Sequence, residues 1–386
     1  MKTLGPLVAA DETLNHQIVD TFATVGQTDR TWTEKICAQA CARDGSLQLA
    51  LGLGKYTNRG VMDAYAGVSR GAELWVVRAS RALAPDPGTT SVGPIHYDVQ
   101  EPLATVRFAL DANDVQPIAF EWTFEGVAPP FLEHPEQHRS RDGFRLDADI
   151  VRYHQAGVAR GWVEVDGQRT ELADTTWVST RDHSWGVRYG VGEPVADVAP
   201  ADRPSSLAIA VNWCPIVCER PDGTRYALHW YYQRHALGGW QREELQGGVE
   251  HPDGRKEEFV GLTPEFDVDP VTRRLRGAHL TFRMADGTAR PITVTALRAT
   301  GFPLGAGLYF GLDGHFHGQY RGPLEVEGEH VVDCTTPEAA RRLHQLVDKV
   351  VQVDDPVGGG VGCGNLQSMF VGPHPALGLD EGSSFL

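Results

Sequence analysis

The chain has few of the features that mark the commoner protein classes. No apolar run approaches the ~18 residues of a membrane-spanning helix, so no span is predicted. The stretch from Met1 to Asp11 carries only a short apolar run, Leu7 to Ala10, which is too short for a secretory signal. Six cysteines are scattered as Cys37, Cys41, Cys214, Cys218, Cys334 and Cys363, with no Cys-x-x-Cys pair to suggest a zinc site. They read as reduced thiols of a cytoplasmic protein, Cys214 and Cys218 being buried and inert. Positive charge is scarce. The 35 Lys and Arg stand against 51 Asp and Glu, which disfavours nucleic acid and anionic membrane as partners. There is no Gly-x-Ser-x-Gly elbow, and Gly362-Cys363-Gly364 lacks the lysine and the strand-loop-helix setting of a phosphate loop. No nucleotide fingerprint is present, so no cofactor is expected.

What is abundant is glycine and proline, 43 and 24 residues, in a chain only 22% charged. That balance fits a turn-rich β protein. Leu47, Leu49, Leu51 and Leu53 alternate with small or polar residues, and Phe120, Trp122 and Phe124 alternate with Glu121 and Glu125. Strands follow at roughly 8–12 residue spacing, divided by Asp-Gly turns such as Asp44-Gly45, Asp166-Gly167 and Asp286-Gly287. The Gly/Pro/Asp-rich stretch from Gly190 to Pro204 divides the chain into 1–190 and 205–386. Residues 11–25 could begin a short helix. Residues 128–142, with Pro129-Pro130, read as a loop over a pocket. Tyr309 to Tyr320 reads as a strand. One helix is expected near the end, capped by Thr336, starting at Pro337 and running to about Gln352, with a flexible tail from Gly358.

The densest chemistry lies in Arg181-Asp182-His183-Ser184-Trp185-Gly186-Val187-Arg188. This segment, following Trp177 to Thr180, resembles the Asp-His-x-Trp-Gly segment of the carotenoid 1,2-hydratase/AttH-like proteins. Asp29-Arg30-x-Trp32-x-Glu34, Glu101-Pro102-Leu103 and the run from Gly161 to Gly167 are similar to that family as well. The resemblance implies an all-β fold of two tandem lipocalin-like antiparallel barrels with a pocket at or near their interface. It also implies a cofactor-free lyase, hydratase or isomerase acting on a hydrophobic, oxygenated small molecule, a terpenoid or aromatic. In the hydratases a Tyr-x-Asp pair on a later strand assists the His-x-Trp pair. The counterpart strand here, Tyr226 to Arg234, holds no carboxylate and offers Tyr226, His229, Tyr231 and Tyr232, which counts against alkene hydration.

On a strand Arg181, His183 and Trp185 share one face, and Asp182, Ser184 and Gly186 the other. His183 is the expected general acid or base, being poised nearest neutral pH, with Asp182 and Arg181 in support. Its partner is expected from the second half, from His229, Tyr231 or His317. Arg188 would bind an anionic group of the substrate. Trp185, Trp122, Trp213, Trp230, His315, Phe316 and His317 would line the pocket. His315-x-His317 lacks a nearby carboxylate, so no metal is assigned. A non-catalytic lipocalin-like carrier, or a metal enzyme using His315 and His317, are the alternatives. A homodimer is compatible with all three.

Overall fold

The computed structural model describes residues 6–17, 26–140, 143–199, 206–343 and 346–380. In the first half the strands are β1 (Trp32–Ala42), β2 (Gln48–Tyr56), β3 (Val61–Arg70), β4 (Glu73–Ala82), β5 (Ser91–Val92), β6 (Ile95–Glu101), β7 (Thr105–Leu110), β8 (Ile118–Gly126), β9 (Phe131–Leu132), β10 (Glu136–Arg139), β11 (Leu146–Val165), β12 (Gln168–Leu172) and β13 (Trp177–Val187). The second half has β14 (Ala208–Glu219), β15 (Arg225–Leu237), β16 (Trp240–Glu250), β17 (Lys256–Val268), β18 (Leu275–Met284), β19 (Ala289–Pro303), β20 (Leu324–Val331), helix α1 (Pro337–Arg342), β21 (Val347–Asp355) and β22 (Gly360–Val371).

Alternation accounts for most of these strands. On β8, Phe120, Trp122 and Phe124 are fully buried on one face. Burying a side chain of Phe size contributes roughly 1.5–3 kcal/mol, so the inward face fixes the register. The first sheet runs β20-β4-β3-β2-β1-β13-β11-β8-β7-β6-β5. It curls until its ends meet: Val92, Ile95 and Tyr97 from one end share a core with Trp75, Val77 and Ala79 from the other. The second sheet closes completely as β14-β15-β16-β17-β18-β19-β21-β22. Its core includes Trp230, Phe259, Phe282 and Leu366. Eight strands leave an interior that side chains can fill or one small ligand can occupy. Both sheets are antiparallel, as the sequence pattern predicts.

The outer face of the first sheet packs on the second barrel through β1, β11 and β13 against β14 and β22, and through β2 and β3 against β19. Cys41, Ala156 and Val178 meet Val217, Ala227, Val350 and Cys363 there. All six cysteines are free and buried. The chain also crosses back: β20 pairs with β4 at the edge of the first sheet.

Several expectations are corrected. The helix starts as expected, with Thr336 Oγ1 accepting from Ala339 N at 3.2 Å, but it ends at Arg342. From Val347 the chain is strand β21, because Val351 and Val353 complete the wall of the second barrel and β-branched residues suit that surface. Residues 344–345 of the expected helix lie outside the described residues. The expected tail is the turn and return strand β22. Within 128–142, β9 and β10 are tied to β11 and do not form a free loop; 141–142 lie outside the described residues. Tyr309 to Tyr320 is a chain of turns, because Phe310 and Asp313 take left-handed backbone angles that no strand allows. For 11–25, a short 3-10 turn covers Ala9–Glu12, and 18–25 lie outside the described residues.

Candidate active site

Strand β13 lies at the centre of the first sheet, between β1 and β11, with Asp182 opposite Cys37 and His154 and with His183 opposite Ile36 and Tyr153. Its two faces therefore look at different places. Odd-numbered residues enter the curl of the first sheet, and even-numbered ones face the second barrel. Gly186 closes the segment where β11 comes nearest. Its φ is +135°, and a Cβ there would sit 1.9 Å from the Asp149 carbonyl oxygen.

On the inner face Arg181 is held by Glu12, with Nη1 and Nη2 at 2.6 and 3.0 Å from its two oxygens. Tyr97 and Tyr153 donate to the same carboxylate at 2.6 and 2.9 Å, and the Leu103 amide donates at 2.6 Å. Burial alone would raise the Glu12 pKa, but the charge and hydrogen bonds of Arg181 outweigh it and hold the group at about 2. His183 is completely buried beside this pair. Its Nδ1 is 3.2 Å from the Tyr153 hydroxyl, and its Nε2 is 3.6 Å from Glu34. His16 bonds Glu34 at 2.9 Å and stacks on Trp185 with ring centroids 3.6 Å apart. So the partners of His183 come from the first half, not from His229, Tyr231 or His317, because the odd face points into the curl. This face clamps the N-terminal segment into the first sheet.

The outer face differs. Asp182 has no hydrogen bond or ion pair among the described residues, although it is a strand-centre residue only half-buried. Its side chain lies on the face of the first sheet that is turned to the second barrel. Burial raises its pKa to about 6 against the opposing charges of Arg152, Arg188 and Lys35. Lys35 Nζ is 2.8 Å from His317 Nε2 and 3.8 Å from the centre of the Tyr309 ring. Burial and the nearby Arg188 lower its pKa to about 7. Arg188 donates to Ser184 Oγ at 2.8 Å, while its Nε is buried and unpartnered. Tyr231 reaches Glu136 at 3.2 Å and lies under the Arg152 guanidinium.

Beside these groups runs a buried chain of charges. Glu133 accepts from Arg152 at 2.8 Å, from the Trp213 indole at 2.9 Å and from His154 Nδ1 at 2.9 Å. His154 Nε2 donates to Glu250 at 2.9 Å. The His229 ring stacks on His154 at 3.5 Å and 21°. Glu133, His154 and His229 are close enough to hold a metal, but stacked, near-parallel rings cannot both aim an in-plane lone pair at one ion. Burial and the adjacent His154 lower the His229 pKa to about 4, so this ring is neutral.

Residues 7–380 match a family described as a family of unknown function, DUF8625. The chain belongs to that family. The sequence has no match among curated proteins. Among solved structures it is similar to one described as AttH from Nitrosomonas europaea, at 11% identity, 96% of this chain, 99% of that one and a TM-score of 0.51. It is also similar to CghA with Sch210972 (12% identity, 88% of each chain, TM-score 0.47). Kievitone hydratase from Nectria haematococca is a further match (9% identity, 96% of each chain, TM-score 0.42). At such identities the likeness concerns the fold alone. The AttH match supports the AttH-like, lipocalin-like fold read from the 181–188 segment.

In this DUF8625 chain the remaining residues named from sequence fall in several places. Trp122 lies in the core of the first sheet, its indole donating to Ser179 Oγ at 3.2 Å, and Trp230 lies in the core of the second barrel. Trp213 and His229 join the Glu133 network, Tyr231 meets Glu136 and Arg152, and Arg188 lies near Asp182. His317 faces Lys35 and Asp63, while His315 and Phe316 are half-buried in the turns nearby. Sequence reasoning missed Glu12, His16, Lys35, Glu133, His154 and Glu250. A signal existed for two of them: Lys35 stands in β1 just before its apolar run from Ile36, and His154 stands within the strand β11.

Proposed function

We propose that this protein is an acid–base enzyme of the lyase, hydratase or isomerase type. Its substrate is a hydrophobic, oxygenated small molecule held between the first sheet and the second barrel. The observation that carries this reading is the half-buried Asp182 carboxyl, without a hydrogen bond or ion pair among the described residues, on the face turned to the second barrel with the charges of Arg152, Arg188 and Lys35 nearby. A charged or polar group kept in such a place without a contact partner costs stability, and a pocket meant only to hold an apolar ligand has no use for it. In this reading Asp182 gives and takes the proton at the reacting carbon or oxygen. Arg188 and Lys35 stabilise negative charge developing on a substrate carbonyl oxygen. Tyr231, Tyr309 and Trp213 supply aromatic wall. The Glu133–His154–Glu250 chain holds Arg152 in place. Of the residues expected to be catalytic, the proposal keeps Asp182 and Tyr231, gives His229 a supporting place, and leaves Arg181 and His183 to the inner face.

The test is hydrogen exchange. A panel of carbonyl-bearing terpenoids and aromatics is incubated with the protein in deuterated water, and label entering carbon is followed by NMR. Asp182→Asn should slow exchange roughly 100-fold or more, the usual worth of a general acid or base. Equal exchange in a well-folded variant would remove Asp182 from the chemistry. Ligand binding without exchange by the unaltered protein would favour a carrier.

A further inference from the structure

We infer that His16, Glu34 and His183 form a binding site for one divalent transition-metal ion of the zinc or iron(II) class, on the inner face of the first sheet. The inference does not depend on the function proposed above, because Asp182 lies on the opposite face of the same strand.

One donor atom from each residue meets at one point. His16 Nδ1 is 2.9 Å and His183 Nε2 is 3.6 Å from the same Glu34 oxygen, and all three atoms lie within 4.8 Å of one another. Bonds of about 2.0–2.1 Å at tetrahedral angles place donors about 3.3 Å apart, so these distances bracket a metal site. The ring planes of His16 and His183 stand at 83°, with centroids 5.7 Å apart. Planes at this angle intersect, as two in-plane lone pairs on one ion require, whereas the near-parallel planes of His154 and His229 do not meet within bonding reach.

The proton count makes the case stronger. The Tyr153 hydroxyl has one proton, and its bond to Glu12 at 2.9 Å uses it. Its oxygen therefore accepts from His183 Nδ1–H at 3.2 Å. In that tautomer His183 Nε2 carries a lone pair. It is buried, has no hydrogen-bond partner, and faces a carboxylate oxygen that is also an acceptor. Two buried acceptors facing each other are reconciled by a positive charge between them, which either a proton on Nε2 or a metal ion supplies, and the donor distances suit the metal. Each imidazole also has its second nitrogen fixed, as metal-bound histidines do. His16 Nε2 is 3.2 Å from Asp11, and His183 Nδ1 is tied through Tyr153 to Glu12. Stacking on Trp185 fixes the plane of the His16 ring. The nearby Lys55 ammonium donates to the Leu14 carbonyl and to Asn15. Because His16 belongs to the N-terminal segment, a bound ion would fasten that segment to β1 and β13.

The experiment uses the full chain, stripped with a chelator, dialysed and titrated with Co²⁺ and with Zn²⁺. The expected result is one equivalent bound, visible d–d absorption for the Co²⁺ form, release of protons on binding, and a higher melting temperature. His183→Ala and His16→Ala should each weaken binding roughly 100-fold or more, and Asp11→Asn, which removes only the outer support, about 10-fold or more. His229→Ala should bind as the parent does. His16 and Asp11 lie in the N-terminal segment, so their variants carry the test if His183→Ala does not fold. Folded parent protein that takes up no Co²⁺ or Zn²⁺ would overturn the inference. So would undiminished binding in the His16→Ala variant.

Discussion

Replacing Glu12 by Gln should unfasten the N-terminal segment, and the structure sets the size of the effect. The Glu12 carboxylate is 1% exposed and receives two bonds from Arg181, two from tyrosine hydroxyls and one from a backbone amide. Every neighbour is a donor, so the amide nitrogen of Gln must face one of them. Arg181 would keep its buried charge without a counter-ion, a situation that costs about 3–5 kcal/mol. The pKa points the same way. A carboxyl held at about 2 against an ordinary 4.5 corresponds to about 3 kcal/mol of preference for the ionised form. The depressed pKa also fixes the sign of the pH dependence. The contribution is complete above the unfolded value of 4.5 and is lost as pH falls towards 2, so the parent should weaken through that window and the variant less so. Urea unfolding followed by tryptophan fluorescence, together with limited proteolysis of residues 7–17, measures the effect. Pairing Glu12→Gln with Arg181→Met should cost clearly less than the sum of the single variants, because both act on one interaction. A loss below about 1 kcal/mol, with 7–17 still protected, would refute the reasoning, since it would mean that the Arg181 charge is not shielded.

Other outcomes follow from the same geometry. Asp182→Asn removes a half-buried carboxyl that makes no hydrogen bond or ion pair among the described residues, so at neutral pH it should melt no lower than the parent; a fall of many degrees would make Asp182 a structural counter-charge for Arg152 and Arg188. His154→Ala leaves Glu133 and Glu250 buried without the imidazolium between them and should cost about 3 kcal/mol or more. His229→Ala, which removes a neutral ring, should cost less, and the order of the two melting temperatures checks this. Gly186→Ala drives a Cβ into the Asp149 carbonyl and should leave the chain insoluble or strongly destabilised, whereas Gly60→Ala, in open space at φ +66°, should stay folded. Expression of both variants and a melt of the soluble one decide the point.

Alternation made the strands legible, because a residue spacing of two is a local property that survives any topology. It also sorted the 181–188 segment correctly: Arg181, His183 and Trp185 do share a face, and Asp182 and Ser184 share the other. What it could not tell was which face looks at the second barrel. That depends on the direction in which the whole first sheet curls, a consequence of contacts between distant strands. His183 was therefore expected to meet the second half, and it meets Tyr153 and Glu34 instead. The expected long helix failed for a related reason. The apolar residues after Leu346 fit a helical stripe, but the second barrel needs an eighth wall, and tertiary packing overrides local propensity. The clamp by Glu12 and His16 was not legible, since two short polar side chains near a chain end carry no spacing signal.

The same principle explains why the chemistry is concentrated in β1 and β13. Glu34 and Lys35 are sequence neighbours, as are Arg181 and Asp182, and each pair joins opposite charges. In solution such neighbours would be read as ion pairs. On a central strand they point to opposite sides of the sheet. Glu34 and Arg181 go inward to His16 and Glu12, while Lys35 and Asp182 go outward, Lys35 to His317 and Asp182 towards the second barrel. Each charge is thereby separated from its sequence neighbour and placed with groups from distant parts of the chain. Two clusters form back to back on one pair of strands. Among the described residues, the inner one is saturated by the N-terminal segment except at His183 Nε2, and the outer one keeps the Asp182 carboxyl and Arg188 Nε without hydrogen-bond partners. Saturation is what a structural clamp requires, and unpartnered polar groups are what a ligand requires. The separation of faces also makes the two readings independent by experiment. Asp182→Asn should leave metal uptake unchanged, and His16→Ala should leave exchange at carbon unchanged wherever the variant is folded.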